Sequence, residues 1–167
     1  MSAREVYGTH PEYITEVLGL LGEDVLLLSY EEQRRFASVS LDRFGAIGSA
    51  RLDWRGAEVV ERRDDFDGEA LASLLGAHAG PDDLVVVFWD NLAVPSIALP
   101  ASLAARHAEA ILGEGYACWL LLTDSGMLIE FQDGEGLTAG RPPTAGTTGT
   151  TGADGPDGAD GADGAEG

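Results

Sequence analysis

His107-Ala108-Glu109 has the opening spacing of a zinc deaminase, a histidine ligand followed two residues on by a proton-shuttling glutamate. The Pro-Cys-x-x-Cys that completes that metal set does not follow, because Cys118 is the only cysteine in the chain. Histidine occurs only at positions 10, 78 and 107, so a cysteine-rich zinc site cannot be built, and His107 and Glu109 read as a pair on a helix surface. Asp64-Asp65-Phe66-Asp67-Gly68-Glu69 is the densest acid cluster of the body. Set on a calcium loop with Gly68 at the sixth place, it puts Arg63 first and Leu74 twelfth, where carboxylates are needed. The cluster is better suited to the N-terminus of the helix that follows, where acids meet unpaired amides and a favourable dipole.

Lysine is absent: all ten basic residues are arginine. That removes Walker-A phosphate binding, Schiff-base chemistry and the kinase strand lysine together. No Gly-x-Ser-x-Gly elbow and no Gly-x-Gly-x-x-Gly loop occurs. No catalytic residue, cofactor or metal is therefore expected. The remaining candidate for function is an edge, Trp89-Asp90-Asn91, where a fully apolar run gives way to a turn. Ligands gather beyond strand ends in sheets covered by helices, and tryptophan is a favoured interface anchor. Glu130 and Asp133, in the last hairpin, are expected to join Trp89, Asp90 and Asn91 in a partner-binding surface. The alternative is that Asp90-Asn91 only turns the chain and Trp89 belongs to the core.

The elements that would carry this edge follow from periodicity. Thr9, Pro11 and Glu12 have the order of a helix start, and Ile14, Val17, Leu18 and Leu21 form one stripe before Gly22. A short strand is expected over 24–28, and Ser29 with Glu32 could cap a helix over 30–36. Ala37, Val39 and Leu41 alternate with Ser38, Ser40 and Asp42 like a half-buried strand. Residues 50–54 and 58–62 read as a hairpin turned at Arg55-Gly56. Leu71, Leu74 and Leu75 predict a helix over 67–79, stopped at Gly80-Pro81. Leu84–Trp89 is apolar throughout, the mark of a strand covered on both faces. A helix is expected from Pro100 to Gly113, then a hairpin of 118–123 and 127–132 about Asp124-Ser125-Gly126, and a further turn over 133–136. The sum is an α+β fold, a mixed and largely antiparallel sheet of five or six strands with three to four helices.

Residues 1–143 are expected to form one domain. From Gly146 glycine recurs at every third position to Gly167, but Pro156 is the only proline in that tract, far below collagen composition. Residues 144–167, with five acids and little to bury, are expected to be a disordered, solubilising tail. A lone cysteine and no apolar leader suggest the cytoplasm.

Charge bounds the partner. The chain holds 29 acids and ten arginines; with the five tail acids set aside, 24 remain in the body, a formal −14. Such a surface repels nucleic acid and anionic membrane and attracts basic proteins, although acidity also serves solubility alone. Small, acidic, α+β and without catalytic residues, the body is similar in general character to the immunity proteins of bacterial polymorphic-toxin systems. That resemblance, one of composition, implies an inhibitor that neutralises a basic, nuclease-like toxin by direct binding. A small enzyme with a carboxylate-based site and a generic acidic housekeeping domain are the alternatives. An enzyme requires a pocket where carboxylates and histidine converge, whereas an inhibitor needs an acidic face with aromatic anchors.

Overall fold

Ser29 opens the best-defined helix: its hydroxyl accepts the Glu32 amide, while the Glu32 carboxylate accepts the Ser29 amide, a closed capping box. The computed structural model describes residues 8–48 and 51–144. The tail expected over 144–167 thus lies outside the described residues except for Thr144.

The fold is α+β, built on an antiparallel sheet of seven strands. In chain order these are β1 (Leu26–Leu27), β4 (Glu58–Arg63), β5 (Leu84–Trp89), β6 (Ile97–Pro100), β7 (Ala117–Leu122), β8 (Met127–Gln132) and β9 (Gly136–Arg141). Their spatial order is β1-β6-β5-β7-β8-β9-β4. The short strands β2 (Gly45–Ile47) and β3 (Arg51–Asp53) pair separately. Five helices complete the fold: α1 (Thr15–Leu21), α2 (Tyr30–Ser38), α3 (Gly68–His78), α4 (Ala101–Arg106) and α5 (Ala108–Leu112). Among the described residues no helix is long and apolar enough to cross a membrane.

Both faces of the sheet are covered, which is why β5 and β7 read as unbroken apolar runs. On one face Val85, Val87, Leu120 and Ile129 meet α1, α3, α4 and α5 through Val17, Leu71, Leu74, Ala104 and Ile111. On the other, Val86, Phe88, Trp119 and Leu128 meet Ala37 of α2, Leu52 of β3 and Trp54. The result is three layers, with two clusters of buried side chains separated by the sheet.

Several elements depart from the sequence reading. Thr9 does not cap the first helix. Pro11–Ile14 forms a 3-10 turn with His10 at its head, and His10 Nδ1 engages the Glu12 carboxylate at 2.8 Å, so no capping box closes there. The strand expected at 37–41 is helix and turn instead. Ala37 and Leu41 are four apart, which suits a helical face as well as alternation, and Val39 is exposed. Ser40 Oγ ends α2 by donating to the Phe36 carbonyl at 2.7 Å. Of the expected hairpin, Ala50 lies outside the described residues, and 51–54 do not pair with 58–62: Leu52 lies opposite Ala46, and β4 lies on β9. The Trp54 ring packs edge-on against Phe44, 4.8 Å between centroids, and its indole reaches Glu130, which draws β3 over the sheet rather than alongside β4. The expected 100–113 helix is broken at His107, whose φ of −115° and ψ of 29° separate α4 from α5.

Strands β6 and β9 were not anticipated and raise the count to seven. Pro100 hides β6, although a proline at the end of a strand gives up only one ladder bond. Glycines hide β9, and the fold needs them: a Cβ on Gly136, which has φ of +135°, would run into the Arg63 carbonyl, and one on Gly140 into that of Glu58.

Candidate functional site

The loops that leave β5, enter β7 and leave β8 gather at one end of the sheet. The Asp90 amide donates to the Ala117 carbonyl at 3.2 Å and the Asp133 amide to that of Tyr116 at 2.8 Å. Asp90, Tyr116 and Asp133 are thereby fixed side by side. The Asp90 carboxylate leans over Gly115, leaving no room for a side chain there. Asn91 is exposed; its Oδ1 accepts the Ala93 amide at 2.9 Å and shapes the loop.

Trp89 and Glu130 lie inside. Trp89 is 5% exposed in the helix-covered core and donates its indole N–H to the Ile111 carbonyl at 2.9 Å. Glu130 is 4% exposed. Its Oε1 accepts the Trp54 indole at 2.9 Å, and its Oε2 accepts the Trp119 indole at 2.9 Å and the Leu52 amide at 2.8 Å. A buried carboxylate is tolerable when donors converge on it, and this one clasps β3 to the sheet. The side chains of both residues are thus closed to the surface in this conformation, whereas Asn91 and Asp133 are exposed and Asp90 is half-buried.

The surface carries two large exposed side chains that sequence reading missed. Tyr116 is 79% exposed and Leu92 is 73% exposed, each on a loop of this same end. Glu114 stands beside Tyr116; partial burial, together with the nearby Glu16 carboxylate, raises its pKa. Tyr116 could have been noticed as an aromatic in a polar loop, between Gly115 and a buried strand. Leu92, directly after Asp90-Asn91, could have been noticed as an apolar residue within turn chemistry.

Two clefts open on the face carrying α2 and β3. The larger, about 660 Å3, lies between β3 and the β8, β9 and β4 strands. Arg51, Arg55, Arg62 and Arg63 border it. Arg51 is paired with Glu135, and Arg63 with Glu61 at 2.7 Å. Arg55 grips Asp53 through two nitrogens, at 2.8 and 2.7 Å, and holds that carboxyl down at about 2. No histidine or cysteine lines this cleft, and both oxygens of Glu130 are already engaged. The smaller cleft, about 230 Å3, lies beside the Asp90 loop.

The other sequence candidates serve the fold. Asp67 caps α3 by accepting the Ala70 amide at 2.9 Å, and Glu109 accepts the Gly68 amide at 2.5 Å, tying α5 to the start of α3. Cys118 is buried, and burial, with Asp90 nearby, pushes its thiol far above the usual range. Among the described residues no cluster of histidine, cysteine, aspartate and glutamate is arranged to hold a metal ion. No protein-family model matches the chain, and no curated protein matches its sequence.

Proposed function

We propose that the protein is a non-catalytic binding module, an acidic inhibitor of the immunity type that neutralises a basic, nuclease-like bacterial toxin in the cytoplasm by direct contact. One observation carries this reading: the exposed Tyr116 and Leu92 sit on loops at the same end of the sheet as Asp90 and Asp133, with Glu114 two residues before Tyr116. Exposed aromatic and aliphatic anchors ringed by charge are the anatomy of a protein-binding surface. The body as a whole, at a formal −14, attracts a basic partner. Trp89 supports this surface from beneath instead of entering the partner.

The carboxylate-enzyme alternative draws less support. Its natural centre, Glu130, has both oxygens committed to indole and amide donors, and of the other carboxylates on that cleft Asp53 is paired with Arg55 and Glu135 with Arg51. The test is to express the protein encoded by each adjacent gene, select any basic one with nuclease activity, and add the present protein in equal amount. Abolition of the nuclease activity, and its return with Tyr116→Ala, is the expected result. Full nuclease activity in the presence of excess protein would overturn the reading.

A further inference from the structure

Asp64, Asp65 and Phe66 leave β4 at the end of the sheet that carries Asp90, Tyr116 and Asp133. Gly136 fixes their place: a Cβ there would lie 3.2 Å from the Asp64 Cα, and Gly136 closes the turn whose Asp133 amide bonds the Tyr116 carbonyl. The start of α3 does not account for this segment. Asp67 caps that helix through the Ala70 amide, and the Gly68 amide goes to Glu109. The carboxylates of Asp64 and Asp65 are exposed and, among the described residues, take part in no hydrogen bond or ion pair. Phe66, between two aspartates, is 44% exposed. A helix cap requires neither the two further carboxylates nor an aromatic ring in water.

The same end therefore carries Leu92 after β5, Tyr116 before β7, Asp133 after β8 and Phe66 after β4. Strands β5 and β4 stand four spacings apart, about 19 Å. Three exposed apolar side chains are thus spread along this end among carboxylates, over a length that about 13 helical residues would span. Nucleic acid, or a second copy of a body at a formal −14, would meet like charge here. A purely apolar surface would bury Asp64 and Asp65 without partners. A basic ridge with apolar side chains between its lysines or arginines matches both features.

We propose that the binding surface runs along this whole end of the sheet to Asp64, Asp65 and Phe66, and that its occupant is such a ridge on the basic partner. The proposal rests on the inhibitor reading and deepens it: Phe66 is a third anchor, and Asp64 and Asp65 are a second group of steering charges.

The experiment titrates isotope-labelled full-length protein with two synthetic helical peptides about 18 residues long and of equal positive charge, one of leucine and arginine, the other of serine and arginine. The leucine peptide is expected to bind at least about 10-fold more tightly, with saturable amide shifts at 64–66, Leu92, Tyr116 and Asp133 together. Phe66→Ala should weaken that binding by about 10-fold, and Asp64→Asn with Asp65→Asn by about 3-fold at low salt. Both variants should melt with the parent, since none of the three side chains belongs to a buried cluster. Equal binding of the two peptides, shifts confined to the Tyr116 side, or binding indifferent to both variants would each overturn the extended surface. Inhibition of the nuclease from the adjacent gene that persists in those cases leaves the inhibitor reading standing. Shifts at all four places in a protein that inhibits no such nuclease overturn the inhibitor reading and leave a docking surface for a different basic protein.

Discussion

Glu130 shows how one side chain can look like surface chemistry in sequence and act as interior architecture. It sits in a strand of mostly apolar residues, and its two oxygens collect two tryptophan indoles and a backbone amide from two different segments, β3 with Trp54 after it and β7. Glu130→Gln keeps the size but turns an amide N–H2 toward at least one of those donors. The substitution should cost on the order of 3 kcal/mol in denaturant unfolding and shift the tryptophan emission. Gln33 presents the reverse case, a buried polar group with too few partners, so Gln33→Leu should stabilise the free protein by about 1 kcal/mol. Asp124 faces Asp83 across the other end of the sheet, and the shared contact with its like charge raises the Asp124 pKa. A carboxyl with a raised folded pKa favours the fold when protonated, and that contribution is lost as pH rises through the folded pKa. Asp124→Asn should therefore raise the melting temperature at neutral pH, and the gain should fade as pH falls through the carboxylate range. A gain that persisted in acid would point to a cause other than charge.

At the scale of elements, legibility followed local signals. The Ser29 box, the Asp67 cap and the apolar run of β5 lie within a few residues of the structure they specify, and all three were readable. Strands β6 and β9 depend on distant neighbours. A Gly-Leu-Thr-Ala-Gly-Arg segment becomes β9 only because the carbonyls of β4 pass so close that glycine alone fits. The pairing of β3 with β2 was hidden for a similar reason, since the pull on Trp54 comes from Glu130, 76 residues away. The site was partly readable: the edge after Trp89 follows from where β5 ends, but Tyr116 joins it only through the register of β7 with β5 and β8. Strand β5 offers the direct check on the layered core, because Val86 and Val87 are both fully buried but on opposite faces. Val86→Ala and Val87→Ala should each cost about 1–3 kcal/mol in equilibrium unfolding. A negligible effect at one of them alone would show that its face is loosely packed.

For the molecule as a whole, acidity and anchoring should separate in kinetics. Net charge acts at a distance on the approach of a basic partner, whereas Tyr116 and Leu92 act only after contact. Changing the charge of the buried Glu130 would break the core, so steering is tested at Asp90, Glu114 and Asp133. Asp90 lies against Gly115 and has little room for a longer side chain, so it is neutralised, not reversed. The variant Asp90→Asn, Glu114→Lys, Asp133→Lys should associate with the basic partner at least about 10-fold more slowly at low salt. Raising ionic strength toward about 0.5 M, where the screening length falls to a few ångströms, should close most of that gap. Tyr116→Ala should leave the association rate near that of the parent and speed dissociation by about 10-fold or more, as loss of an interface anchor does. Circular dichroism of both variants should match the parent, since none of the four side chains contributes to either buried cluster. If the charge variant associates at the parental rate at every salt concentration, the partner does not approach this end of the sheet. The acidity of the body would then serve solubility alone.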